Sequence, residues 1–166
     1  MEKEYRILTE CYIDFMLMEA IMRLSPNDQH SGINEIGNKL EKNYSNRKAV
    51  VLIDDDKVKA KFMNQYVIQN DNKQLKIKFT KHKKNSHYAV QISPASETWI
   101  LEVCQKSGID VTKSPYRLPK DPKKLASITK SIHAFRDTRL QQLMNTMHQK
   151  NPLHFRVIRS WINEIL

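Results

Sequence analysis

Three consecutive carboxylates, Asp54, Asp55 and Asp56, close an apolar run (Val50-Val51-Leu52-Ile53) and are followed by Lys57. Adjacent acids repel one another unless something positive neutralises them, and a divalent cation held by hard oxygen donors is the usual answer. The other reading is a solvated acidic turn that binds nothing. A second acidic pair, Glu10 and Asp14, lies upstream. Asp14 needs no ligand to explain it, because an acid at a helix start is stabilised by the exposed amides and the helix dipole. Glu10 lies between two apolar stretches, where a carboxylate is partly buried, and is harder to explain without a cation.

The surrounding elements decide whether the two clusters can meet. A β-branched apolar run bounded by charge reads as a strand covered on both faces. The carboxyl ends of such strands are where open α/β sheets place their ligands. Tyr5–Thr9 reads as a short first strand. From Ile13 to Leu24 nearly every residue is apolar, which predicts a helix buried on most sides. Glu10 then falls in a strand-to-helix turn and Asp14 in the first helical turn. Two parallel strands of one sheet would bring Glu10 close to Asp54 and Asp56.

Glu10-x-x-x-Asp14 after a first strand, with Asp54-x-Asp56 after a later one, resembles the Toprim pattern. That catalytic domain occurs in topoisomerases, bacterial primases, ribosomal-RNA-maturing nucleases and the overcoming-lysogenization-defect nucleases. The likeness covers about the first 60 residues. It implies an α/β fold, a Toprim-like, Rossmann-type sheet with mainly parallel strands. It also implies Glu10, Asp54 and Asp56 as catalytic residues, and Glu10, Asp14, Asp54 and Asp56 as ligands of Mg²⁺ or Mn²⁺. In Toprim domains of the overcoming-lysogenization-defect type a further acid after a later strand can complete the metal shell, and Glu97 resembles it in position. Glu97 is equally well explained as an acid in the first turn of a helix capped by Ser96. The chain departs from the family in one respect: Cys11 stands where Gly usually follows the motif's Glu, and a side chain there narrows the approach of a phosphate to the backbone.

A chain of 166 residues is expected to build one core. We read residues 1–166 as a single domain: an acidic-site core (1–72), a basic hairpin and helix (73–110), and a basic loop with a helical section (111–166). No apolar run is long enough to span a bilayer. The charged start, Met1-Glu2-Lys3-Glu4, argues against a signal peptide. Cys11 and Cys104 are too isolated for a disulfide framework or a zinc site, so a reducing cytoplasm is the expected setting. The net charge of +10 is unevenly placed. Residues 1–72 carry 10 Lys/Arg against 12 Asp/Glu, whereas residues 73–166 carry 18 against 6. An acidic cluster beside a basic field suits a protein that holds cations and attracts a polyanion, with DNA or RNA the obvious partner. An inert basic surface is the alternative.

Gln74–Lys81 alternates apolar and basic residues as a half-exposed strand does, and His87–Ser93 can return as its partner. Lys76, Lys78 and Lys81 could follow a phosphate backbone, or simply guard an edge strand. Lys57 is the candidate phosphate contact beside the acids. A helix from Ser96 ends at Gly108. Residues 110–122, with three prolines, read as a loop. Leu125, Ile128, Ile132 and Phe135 then recur at helical spacing, Asp137 caps another helix, and Asn151-Pro152 separates it from a last amphipathic one. The Met and aromatic stripe reads as core. Any exposed part of it would offer a surface for a homodimer or protein partner.

The expected function is metal-dependent phosphodiester hydrolysis. Two other classes stay open: a non-catalytic nucleic-acid-binding or regulatory module with a degenerate site, and an interaction subunit of a defence or mobile-element system.

Overall fold

The structure, a computed structural model, describes residues 5–23, 32–55 and 61–166. A five-stranded sheet organises it. The strands are β1 (Tyr5–Thr9), β2 (Lys48–Asp54), β3 (Tyr66–Asn72), β4 (Ile77–His82) and β5 (His87–Ile92), in the order β1-β2-β5-β4-β3. β1, β2 and β5 run parallel, with Thr9 beside Leu52 and Asp54 beside Ile92. β4 and β3 are antiparallel additions. The sheet is therefore α/β but mixed, where the sequence led us to expect mainly parallel strands. The physical reason is the β4–β5 hairpin. It is not an appendage: its second strand pairs directly with β2, so its first must run antiparallel beside it.

Side-chain alternation along β2 sends successive residues to opposite faces, and both faces are buried. Val50 and Leu52, with Ile7, Phe79, Val90 and Ile92, join the larger core. Ala49, Val51 and Ile53, with Leu8 and Ala89, meet the smaller core under α2 (Ile33–Asn43). Gly37 of α2 lies against Phe62, and a Cβ there would come within 2.8 Å of the Phe62 ring.

The larger core is roofed by helices. α1 (Tyr12–Met22) packs against α5 (Thr138–Lys150) and α6 (Leu153–Ile165). α3 (Ser96–Lys106) carries Trp99, Ile100 and Val103 into the same core, and α4 (Pro122–Thr129) adds Leu125. One core thus includes residues from all three expected segments of the chain, from Ile7 to Ile162. Among the described residues no helix is long and apolar enough to cross a membrane.

Several local readings hold. Asp137 accepts from the Arg139 and Leu140 amides at the start of α5, Asn151 ends that helix in a left-handed turn, and Gly108 adopts φ +72 just beyond α3. Three others need correction. Ser96 does not cap α3; Ala95 holds that position and the Ser96 hydroxyl points elsewhere. Ile132 lies outside α4 and is 70% exposed. Lys76 precedes β4, in a left-handed turn. The apolar stripe of α6 (Phe155, Ile158, Ile162) is core, as expected.

The last carbonyls of α1 are capped from outside the helix. His148 Nδ1 lies 2.8 Å from the Ala20 carbonyl, and Arg159 Nε donates to Ile21 at 2.7 Å. Arg159 also donates to Asn151 Oδ1, tying three helical segments together. Arg159→Ala leaves these acceptors unmet and is expected to cost about 1–3 kcal/mol, read as a lower urea midpoint with an unchanged slope. Arg159→Lys, which cannot make the forked contacts, is expected to recover less than half of that loss.

Candidate metal centre at the carboxyl edge of the sheet

Because β1, β2 and β5 are parallel, their carboxyl ends share one edge, and the residues that follow them meet there. Glu10 follows β1, Asp54 ends β2, and Ser93 follows β5. The N-termini of α1 and α3 begin at the same edge, adding the positive ends of two helix dipoles. Asp54 shares the parity of Val50 and Leu52 and so faces α1 and α3. Asp55 turns to the other side, where it accepts from Lys78 Nζ at 2.7 Å and from Ser93 Oγ at 2.9 Å. Its own amide donates to the Ile92 carbonyl and extends the sheet ladder.

Asp14 is the one charged residue among the buried positions of α1, and is 1% exposed. Its Oδ1 accepts from Ser96 Oγ, the same hydroxyl that lies 2.7 Å from Asp54 Oδ1. Two carboxylates from different elements therefore converge on a single oxygen. A hydroxyl carries one proton and can donate to only one of them. The second contact is favourable only when one carboxyl is itself protonated or a cation offsets the charge. Burial, and then the Asp54 charge, push the Asp14 carboxyl from its ordinary 3.8 up to about 8. The Glu10 charge acts in the same direction, while Ser96 and Cys11 favour the ionised form. Asp14 Oδ2 and Thr9 Oγ1 are buried without a hydrogen-bond partner, which in a native structure calls for a water or an ion.

This donor set is all hard oxygen and suits Mg²⁺ or Mn²⁺ in kind. Among the described residues no three His, Cys, Asp or Glu side chains form a ready cage. A cation held here would take one or two carboxylates from the chain and fill its shell with water and substrate phosphate, as Mg²⁺ commonly does. Asp56 and Lys57 lie outside the described residues.

Glu97 is buried, and its Oε1 accepts from Thr129 Oγ1 at 2.5 Å, a tie between α3 and α4. Lys81 does not line up with Lys76 and Lys78. Lys76 pairs with Glu102, Lys78 with Asp55, and Lys81, on the opposite face from Lys78, lies 5.8 Å from the Tyr88 ring centre. Sequence reasoning took Ser96 for a cap and so missed its place between the two aspartates. Both readings fit a serine at a helix start, and only the fold separates them.

No protein-family model matches the chain, and neither a curated protein nor a solved structure matches it.

A carboxyl with a raised pKa keeps its proton in the folded chain between about pH 4 and pH 8, where the unfolded chain has lost it. The folded state then binds more protons, and this group's contribution to stability falls as pH rises through that window. Asp14→Asn removes the effect. It is expected to raise the melting temperature by several degrees at pH 8, with the gain shrinking towards pH 4. A variant melting below wild type at pH 8 would show that Asp14 is not held under this electrostatic load.

Proposed function

We propose that the protein is a Mg²⁺- or Mn²⁺-dependent phosphodiesterase of nucleic acid, with a Toprim-like site at the carboxyl edge of its sheet. The observation that carries this reading is the convergence of Asp14 and Asp54 on one hydroxyl. A buried acid and a partly buried one in that relation are stable together only with a proton or a cation between them. Glu10, partly exposed, adds its charge to the cluster from the end of β1.

When bound, the metal lowers the pKa of an attacking water and neutralises charge that develops on the phosphate. The chain's own residues have narrower tasks. Asp14 and Asp54 hold the cation. Ser96 fixes their oxygens relative to each other. Glu10, still in contact with solvent, exchanges a proton with the leaving oxygen, as the family resemblance implies. The basic half of the chain supplies the field that draws in a polyanion. Asp56 and Lys57 complete the proposed set, as metal ligand and phosphate contact.

One observation favours a second reading. Ser96 Oγ already joins the two aspartates, so the cluster can be satisfied by a shared proton, as in a non-catalytic binding module. Labelled single- and double-stranded DNA and RNA, incubated with Mg²⁺ or Mn²⁺, separate the two. The expected result is cleavage that chelator abolishes and that Asp54→Asn and Glu10→Gln each lower by at least about 10²-fold. Metal-independent binding without cleavage by the unaltered chain would select the binding module.

A further inference from the structure

We propose that Lys73, Lys76 and Lys78 form a phosphate subsite that receives the sugar–phosphate backbone of a nucleic acid beside the carboxylate cluster. This inference rests on the nucleic-acid reading given above. The three lysines, with Ser93, Asp71 and Ile77, line an open cavity of about 310 Å³. It lies at the same sheet edge as the acids, between the β3–β4 turn and the residue that follows β5. Its wall is bonded to the cluster's own strand, because Lys78 and Ser93 both donate to Asp55, the neighbour of Asp54.

The turn that carries the lysines is held in place. Asn72 Oδ1 accepts from the Leu75 amide at 3.0 Å. The buried Trp99 indole donates to the Leu75 carbonyl at 3.0 Å, and the Ser93 amide donates to the Lys76 carbonyl at 3.0 Å. Lys76 adopts φ +57, a left-handed conformation that such a tight turn imposes. An anion-binding surface gains from a backbone fixed before the ligand arrives, since less ordering remains to be done on binding.

Two of the ammonium groups already have partners, Lys76 with Glu102 and Lys78 with Asp55, and all four side chains keep contact with solvent. The Lys76–Glu102 pair is the more exposed and contributes little, so a phosphate can draw Lys76 away at small cost, while Lys78 stays shared with Asp55. Lys73 has no ion pair among the described residues. With Glu102 and Asp55 counted beside the lining Asp71, three carboxylates balance the three lysines, so the draw for an anion comes from Lys73 and from the exchangeable Lys76. The open shape and the surplus of 18 basic over 6 acidic residues in this half of the chain favour a long polyanion over a small enclosed metabolite. Lys81, on the other face over Tyr88, takes no part.

The test is fluorescence anisotropy on the full chain, in chelator, with labelled single- and double-stranded DNA and RNA of about 20 nucleotides across a range of salt. Lys73→Gln/Lys76→Gln is expected to weaken binding about tenfold and to lower the slope of log affinity against log salt by about 1.5–2. Lys73→Arg/Lys76→Arg is expected to restore the slope, and thermal melting of each variant verifies the fold. Unchanged affinity and slope in the glutamine pair would overturn the subsite and leave cleavage by the carboxylates standing. Failure of the unaltered chain to bind any of the four probes would overturn the subsite and the nucleic-acid reading together.

Discussion

The burial of Asp14 beside Asp54 is the constraint on which the site depends. An ionised carboxylate taken out of water costs several kcal/mol unless it is paired or hydrogen-bonded, and a second acid nearby adds to that cost. The fold nevertheless places Asp14 on the most apolar of the described helices. α1 lies beneath α5 and α6, with Met16, Leu17, Met18 and Ile21 all buried. Removing that roof would let water reach Asp14 and relax its carboxyl towards an ordinary acidity. The C-terminal helices therefore matter to the site without contributing a ligand to it. They keep its dielectric low, and a low dielectric strengthens any cation contact made there.

The alternation of side chains along β2 divides the acidic run between two tasks. Asp54 faces the helical layer and joins Asp14. Asp55, one residue on, faces away and is neutralised by Lys78 and Ser93. Three consecutive acids that all pointed one way would repel one another without relief. Sending neighbours to opposite faces lets one serve the strand edge while the other stays in the cluster. Asp55 thereby supports Asp54, since its amide prolongs the β2–β5 ladder past the last strand residue and fixes where the Asp54 side chain emerges.

What could be read from the sequence follows the strength of each local signal. The β2 run, the apolar α1, the cap at Asp137 and the break at Asn151-Pro152 stood out because a single physical rule governs each. That β1 and β2 lie side by side and parallel was an expectation of the site reading, and the ladder from Tyr5–Lys48 to Thr9–Leu52 is what brings them together. β3 left no such trace: five of its seven residues are exposed, so no apolar period marks it, and only its ladder with β4 makes it a strand. α2 was hidden in the same way, with just Ile36, Gly37 and Leu40 buried. The mixed sheet could not be foreseen, because nothing local tells a hairpin that its second strand will pair with β2. Lys81 was grouped with Lys76 and Lys78 although it is an odd number of residues from each, and period two places it on the other face from Lys78. Ser96 was assigned to its own helix because the aspartates that compete for its hydroxyl lie 82 and 42 residues away.

Cys11 is the departure from the resemblance that bears most on the chemistry, and its setting argues that the site can accommodate it. Its backbone is extended, with φ −143 and ψ 176, so no left-handed conformation at this position calls for glycine. The side chain is partly buried, and burial, reinforced by the Asp14 charge, pushes the thiol far above its usual range. A thiol so held stays protonated at neutral pH, and only a thiolate is an effective nucleophile or soft metal ligand. Sulfur therefore adds neither charge nor softness to the cluster, which remains an all-oxygen site suited to a hard cation. Cys11 instead acts on Asp14, where it favours the ionised carboxylate against burial and the neighbouring acids. A glycine could not do this. In a pocket that so strongly disfavours charge on Asp14, the thiol helps to keep the ionised form, the one the proposed cation would need, within reach.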